Sequence, residues 1–524
     1  METRIVSRFS LPSLAARLVG VTLAGLAWLP FASADVRLPG LFSNNMVIQQ
    51  DLPVPVWGWA DENEQVTVQF RDQRVSTVAK NGKWSVRLAP LKADLSPTVL
   101  VVRGKNLILV RNVLVGEVWV CSGQSNMEFP LKHSFGASGD IASSANPHLR
   151  LFTVPKLKSI DPVDDVKAQW QECGPDTVPD FSAVAYYFGR ALERTRNVPV
   201  GLIHTSWGGS PAEVWMSRTA LTVDPEYRRD IWDKYPAQEQ AYQAALAKWK
   251  ADKEAAEKAG QKFDRGQPWP AWRPAELYNG MIAPLIPYAI AGAIWYQGES
   301  NAGRAWQYRR LYPDMILNWR RDWAEGDFPF IAVQIAPWDK NRKRSLDAIT
   351  AEPGDSDWAE LREAQVRATK ILPAVGIVVI TDAGDKDDIH PTHKAIVGER
   401  LALAARVIAY GEPFAGLSPT YKAYKISGDK VTVEFDHVGK GLVAKDGPLK
   451  GFAIAGEDLK FVWADAEISG KDKVVVHNPQ VSKPVAVRFG WADYPVVNLF
   501  SEFGLPASPF RTDDWPLTTA PKQK

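Results

Sequence analysis

From Val36 to about Asn112 the chain alternates apolar and polar positions in short runs, as in Val54-Pro55-Val56-Trp57-Gly58-Trp59 and Val66-Thr67-Val68-Gln69-Phe70, broken by Asn81-Gly82. A period of two puts every second side chain on one face, so strands at this turn-punctuated spacing predict a small β-sandwich-like domain over residues 35–112. From about Val113 the rhythm changes. Val118–Cys121, Val198–Thr205, Ala289–Tyr296, Phe330–Ile335 and Gly376–Thr381 are apolar runs of strand length, separated by longer stretches of helical periodicity. Such alternation predicts right-handed crossovers and a largely parallel sheet covered on both faces, an α/β core over 113–412. A closing helix from about His393 to Tyr410 puts Val397, Leu401, Ala404 and Ile408 on one face and stops at Gly411-Glu412-Pro413. Alternation returns in Val431-Thr432-Val433-Glu434-Phe435 and Val474-Val475-Val476, which predicts a C-terminal β domain over 413–524.

Two segments depart from this pattern. Residues 236–259 are rich in Ala, Lys and Glu, with Tyr242, Leu246 and Trp249 at helical spacing, and a Gly/Pro/Trp loop follows to Pro274. The expectation is a solvated helix, docked through those three residues, in an insertion at about 225–275. At the N-terminus Arg4, Arg8 and Arg17 precede an apolar run from Leu18 to Phe31, and Ala32-Ser33-Ala34 supplies a small-residue cleavage site. That reads as a signal peptide over residues 1–34 and a secreted or periplasmic mature protein. The run is short of the roughly 20 residues needed to span a bilayer, and the later apolar runs are strand-length, so no membrane association is expected.

Length and charge narrow the partners. At 524 residues the chain has room for several domains and a large core. Loss of the leader removes three arginines and one glutamate from a chain of formal charge +2, leaving it near neutral. No basic stripe remains to neutralise phosphates, so nucleic acid is not expected as a partner. The two cysteines, Cys121 and Cys173, form either a disulfide or two buried thiols. Neither a metal-spaced Cys/His cluster nor a P-loop or dinucleotide fingerprint is present, so no cofactor or metal is implied.

The chemistry lies at the ends of the apolar runs. Gly116-Glu117-Val118-Trp119-Val120-Cys121-Ser122-Gly123-Gln124-Ser125-Asn126-Met127 carries a strand straight into a turn that presents Ser125. A turn of this kind holds a hydroxyl clear of the sheet with its own N–H aimed where an oxyanion forms. Three further segments follow: Trp207-Gly208-Gly209-Ser210, Trp295-Tyr296-Gln297-Gly298-Glu299-Ser300-Asn301 and Asp387-Asp388-Ile389-His390-Pro391. Four of the five core strands end in one of these motifs, and ligands of such sheets gather at the carboxyl ends of the strands. Among seven histidines His390 is the candidate base, because two carboxylates precede it and a proline follows.

Taken together, these motifs resemble the SGNH (GDSL-like) hydrolase superfamily and, within it, the sialate O-acetylesterase-like carbohydrate esterases. The likeness extends to Leu41-Phe42-Ser43-Asn44-Asn45-Met46-Val47-Ile48-Gln49 and Gly504-Leu505-Pro506-Ala507-Ser508-Pro509-Phe510-Arg511-Thr512-Asp513. It implies a three-layer α/β/α SGNH-type core flanked by β-sandwich-like domains, and a serine esterase that removes O-acetyl groups from carbohydrates, either sialic acid or acetylated plant or microbial polysaccharide. By that resemblance Ser125 is the nucleophile, His390 the base and Asp387 the acid, from the Asp-x-x-His spacing, with Asp388 as the competing acid. The implied oxyanion donors are the N–H groups of Ser125 and Gly208 and the side chain of Gln297; the superfamily more often uses asparagine there, which leaves Asn301 open. Trp207, Trp215 and Trp295 offer aromatic faces that suit sugar rings, and Glu213 and Arg304 are either substrate contacts or a surface pair. Competing readings are a non-catalytic carbohydrate-binding surface protein and a lipase or thioesterase on the same fold.

Overall fold

The Leu107–Gly123 strand is the spine of the molecule. Its first half pairs antiparallel with Asp94–Arg103, while its second half has parallel neighbours on both sides, Val200–Ser206 and Gly292–Tyr296. Every residue from Val113 to Gly123 is buried. A strand buried on both faces must carry apolar side chains at odd and even positions alike, which is why this segment reads as continuous rather than alternating.

The structure is a computed structural model that describes residues 35–341 and 344–522. The leader expected over 1–34 lies outside the described residues. Around the spine the sheet runs Val375–Val378, Phe330–Val333, Gly292–Tyr296, Leu107–Gly123, Val200–Ser206, Asn146–Thr153, Gln171–Cys173, parallel throughout except for the last pair. With the strands that join it from the N-terminal region it is an 11-stranded mixed sheet. The Asn146–Thr153 strand escapes the sequence pattern because Arg150 interrupts its apolar run. That arginine is almost fully buried, donating from Nε to the Pro147 carbonyl at 2.7 Å and from Nη2 to Asn112 at 3.2 Å.

The two faces of the sheet feed two different cores. Val118, Val120, Ile203, Ala293 and Trp295 pack with the Ala305–Trp323 and Asp357–Ile371 helices, through Leu311, Met315, Trp319 and Leu361 among others. Trp119, Cys121, Leu202, Ile294 and Tyr296 pack with the Ala183–Arg196 and Lys394–Ile408 helices through Val184, Phe188, Val397 and Leu401. The fold is therefore mixed α/β with helices on both sheet faces.

Strands precede and follow this core. Val54–Trp59 pairs with Lys83–Leu88, and Gln65–Phe70 lies between Gln73–Val78 and Asp94–Arg103. The boundary expected at 112/113 falls inside the continuous spine strand, at Asn112, whose φ of +58° kinks the strand without ending it. Beyond residue 413 two four-stranded sheets enclose a core of Val431, Val433, Phe435, Ile454, Val476 and Phe489. The insertion forms the Tyr235–Lys258 helix, in which no residue is buried. Trp249 docks it onto its own following loop, against Phe263 at 5.7 Å between ring centroids and by an indole N–H bond to the Arg265 carbonyl at 2.7 Å.

Among the described residues no helix is long and apolar enough to cross a membrane, and no group of three or more His, Cys, Asp or Glu side chains is arranged to hold a metal ion. Cys121 and Cys173 are free and buried, which settles the alternatives in favour of two thiols. Burial pushes both upward in pKa, Cys173 to about 12. A thiol reagent should therefore label neither cysteine in the native protein and both after denaturation, and a reductant should leave the melting temperature unchanged.

Candidate active site

The register of the sheet builds the site. Gly123 stands opposite Ser206 on one neighbouring strand and Tyr296 on the other, so three strands finish at one level. Gly123 itself has φ +142°, and a Cβ there would stand 2.2 Å from the Tyr296 carbonyl oxygen, so only glycine fits where the chain turns. The turn continues as a short helical segment, Ser125–Glu128. Ser125 is its first residue, and its N–H therefore has no partner within the helix.

His390 reaches Ser125 from the loop before the Lys394–Ile408 helix. Its Nε2 lies 2.8 Å from Ser125 Oγ. The loop is shaped by Asp385, whose carboxylate accepts the N–H groups of Asp387 and Asp388. Asp388 Oδ1 in turn accepts the backbone N–H of His390 at 2.8 Å and stands 3.6 Å from its Nδ1. That second separation is an electrostatic contact rather than a hydrogen bond. Asp387, the acid expected from the Asp-x-x-His spacing, points elsewhere: its carboxylate is exposed and accepts from Lys386 Nζ at 2.5 Å. Asp385 caps this turn, and of the two carboxylates that follow it Asp388 is the one in contact with His390. Burial, followed by the Lys394 cation, holds His390 below the ordinary histidine range, with Asp388 and Glu128 acting in opposition.

The glycine turn arrives from the other side. A Cβ on Gly208 would stand 3.3 Å from Ser125 Cβ, which places the Gly208 backbone against the serine. Its N–H donates to Glu128 Oε2 at 2.6 Å, and Lys156 Nζ donates to the other oxygen of the same carboxylate at 2.5 Å.

This arrangement has known relatives. Residues 258–407 match the family model of carbohydrate esterases described as sialic acid-specific acetylesterase. The chain is 30% identical to the sialate O-acetylesterase of Rattus norvegicus over 424 residues, covering 73% of this chain and 75% of the relative. It is 28% identical to the Mus musculus sialate O-acetylesterase over 507 residues, 88% and 91% of the two chains. A carbohydrate acetylesterase from Xanthomonas citri superposes with a TM-score of 0.77 at 36% identity, covering 92% of this chain and all of that one. The chain belongs to the sialate O-acetylesterase family. It is a carbohydrate esterase.

In this esterase several other expected residues are engaged with partners of their own. Gln297 is fully buried, and both protons of its amide are committed, to the Ser210 carbonyl at 3.3 Å and to Asn301 Oδ1 at 2.7 Å. Its oxygen accepts the Tyr308 hydroxyl at 2.9 Å. In the resting enzyme Gln297 is thus a strut between the two loops. Asn301 is equally enclosed, accepting the Ala212 N–H and donating to Glu213 at 3.0 Å, while Glu213 pairs with Arg304 at 2.6 Å. Trp215 and Trp295 are completely buried, packed edge to face at 6.1 Å, so neither offers a surface to a sugar. Trp207 is partly exposed and adjoins Gly208; Trp272 meets its edge at 5.8 Å, and Lys156 and Lys158 lie over its ring at 5.3 and 5.7 Å. The motif reading overlooked Glu128, Lys156 and Lys394, because each reads in sequence as an ordinary surface charge. The sole signal was proximity, Glu128 three residues after Ser125 and Lys394 four after His390.

Removing the Gln297 side chain takes the acceptor from the Tyr308 hydroxyl and a donor from the Ser210 carbonyl in a buried interior. Gln297→Ala should cost on the order of 3 kcal/mol of folding stability, read as a shift in the urea midpoint at unchanged slope.

Proposed function

We propose that this carbohydrate esterase is a serine O-acetylesterase in which Ser125 is the nucleophile and His390 its base. The observation that carries the reading is the 2.8 Å contact between His390 Nε2 and Ser125 Oγ at the carboxyl edge of the parallel strands. A neutral imidazole with its proton on Nδ1 leaves Nε2 free to accept from the hydroxyl. As Oγ attacks the acetyl carbonyl, its proton passes to Nε2, and the Oγ–C bond forms while the carbonyl electron pair moves onto oxygen. Collapse of that tetrahedral intermediate expels the sugar oxygen, which takes the proton from His390 and leaves acetyl-Ser125. Water, deprotonated by the same Nε2, then releases acetate and restores the hydroxyl.

Asp388 is the acid that steadies the imidazolium in this scheme, in place of Asp387, since its carboxylate faces Nδ1. The N–H groups of Ser125 and Gly208 receive the oxyanion. In the free enzyme the Gly208 donor is held by Glu128, and the substrate carbonyl takes its place while Glu128 keeps its bond to Lys156. Trp207, partly exposed beside Gly208, presents the aromatic face to the sugar. The core is of the SGNH three-layer type. It is flanked by β domains over 35–112 and 413–524, and the mature enzyme acts after export on O-acetylated sialic acid or polysaccharide.

Two sets of variants test this. Ser125→Ala should lose on the order of 10⁴- to 10⁶-fold in turnover of an aryl acetate with folding intact, and should release no acetate from acetylated sialosides or xylans. Near-native turnover by the folded variant would remove the mechanism.

Asp388→Asn should lower kcat by roughly 10²-fold, the lower range for a positioned acid–base group, because its carboxylate is solvent-exposed. Asp387→Asn should stay within about threefold of wild type, as expected for an exposed pair with Lys386 of little energetic weight. The reverse ranking of the two in kcat would restore Asp387 as the acid.

A further inference from the structure

Behind the Ser125–His390 contact lies a second set of polar side chains that the proposed chemistry leaves unused. Asn126, the residue after the serine, is completely buried. Its carboxamide makes three bonds to three different parts of the chain. Nδ2 donates to Glu299 Oε1 at 2.7 Å and to the Ile389 carbonyl at 3.0 Å, and Oδ1 accepts from Lys394 Nζ at 2.5 Å. Glu299 belongs to the loop after the Gly292–Tyr296 strand; Ile389 immediately precedes His390; Lys394 opens the closing helix. One amide thus ties the serine turn to the glutamate loop, the histidine loop and the closing helix.

Lys394 is fully buried, its ammonium over the rings of Phe129 at 4.9 Å and Tyr296 at 5.4 Å. A buried cation is costly and persists only where several groups repay its desolvation. Here the two rings, the Asn126 oxygen and the carboxylates of Glu299 and Asp388 do so. The second oxygen of Glu299, Oε2, is buried with no hydrogen-bond partner among the described residues, so the carboxylate is placed for Asn126 and for the cation rather than for its own satisfaction.

We propose that Lys394, acting through Asn126 and braced by Glu299, is a positioning residue that fixes Ser125 in register with His390 and adds a positive charge to the surroundings of the imidazole. The inference rests on the reading of Ser125 and His390 as the reacting pair. Two effects follow from the geometry. Asn126 bonds the backbone on either side of the reacting pair, so loss of its anchor lets the serine turn and the histidine loop drift apart. The cation also opposes a second positive charge on His390. Burial lowers Lys394 to about 7 even with Glu299 and Asp388 working against that fall, so it carries its charge on the acid side of neutrality, where the acid limb of activity is measured.

The sign of the electrostatic effect is fixed. The groups charged toward His390 are Lys394, which lowers its pKa, and Asp388 and Glu128, which raise it. Replacing Lys394 with an apolar residue removes the lowering charge, so the neutral base appears only at higher pH and the acid limb of kcat/KM moves upward. Glu299→Gln keeps an acceptor oxygen for Asn126 but lets Lys394 lose its proton sooner, which moves the limb the same way by a smaller step.

The experiment is a pH profile of aryl acetate hydrolysis by Lys394→Met, Asn126→Ala and Glu299→Gln, with rates normalised to the folded fraction from melting curves. Lys394→Met and Asn126→Ala should lose about 10- to 100-fold in kcat, in keeping with a misplacement near 1 Å, with KM within about twofold. Lys394→Met and Glu299→Gln should also shift the acid limb upward. Full kcat together with an unmoved acid limb in Lys394→Met overturns the inference, and if that variant does not fold, an unmoved limb in Glu299→Gln overturns it. Ser125→Ala and His390→Ala run beside them keep the two readings apart. Activity in those controls overturns the reacting pair itself, whereas inert controls with wild-type Lys394 variants overturn the positioning role alone.

Discussion

Everything about the site follows from the parallel register of three strands at Gly123. Parallel strands point their carboxyl ends the same way, and the pairing of Gly123 with Ser206 and Tyr296 brings three of them to one height. The next residues of each, Gln124-Ser125, Trp207-Gly208 and Gln297-Gly298, therefore start their turns side by side although they lie some 80 to 170 positions apart. The missing Cβ at Gly123 permits that closeness, since the Tyr296 backbone already fills the space. Dry packing on both sheet faces then makes the register hard to slip, because a shift of one residue would exchange Val118 and Val120 for Trp119 and Cys121 and mismatch both cores at once.

How much of this was legible in the sequence depended on which interactions are local. Apolar runs gave four of the five core strands to within three residues at either end, but only the carboxyl end of the fifth, the Leu107–Gly123 spine; the helical stripe at Val397, Leu401 and Ala404 placed the closing helix, because those patterns report burial directly. Asn146–Thr153 was hidden by a buried arginine, two of whose partners, Asn112 and Glu172, lie on other segments of the chain. In the site, Ser125, Gly208 and His390 converge as the motifs suggested, since each follows a strand or leads a helix. The roles of amides and carboxylates were less legible. Gln297 and Asn301 stand in the right motif yet spend their donors on the loops around them, and Asp388 rather than Asp387 faces His390 in the turn capped by Asp385. Trp215 and Trp295 illustrate the same limit, for a tryptophan at the end of a strand reads alike whether it faces solvent or core.

Charge inside the molecule is handled by crowding each ion with acceptors. Arg362 is completely buried and held down to about 10 by burial, yet its guanidinium donates to the carbonyls of Ile335, Ala336, Ala492 and Asp493. Those four bonds join the Asp357–Ile371 helix to the loop after the Phe330–Val333 strand and to residues 492–493, which lie between the Ala486–Phe489 and Leu499–Ser501 strands. Arg488 does similar work with Asp513 and Asp355, under the rings of Phe461 and Trp491. Such ions add little net stability when fully paired, but loss of one partner strands the other, so they specify a single arrangement of the parts more than they strengthen it. Lys394 beside the serine obeys the same rule at the place where small displacements matter most.

The Tyr235–Lys258 helix carries the opposite lesson. It has no buried residue, it closes on its own loop through Trp249 and Phe263, and its charges are largely matched one turn apart, as in Lys248–Asp252 and Lys258–Glu254. A segment built this way opens without exposing the main core, so it behaves as a cooperative unit of its own, with local stability near the bottom of the molecule's range. Natural selection can lengthen, shorten or rewrite it without leaving a void. The same freedom makes it the natural graft point for a tether, a reporter or a second module on an otherwise unaltered enzyme.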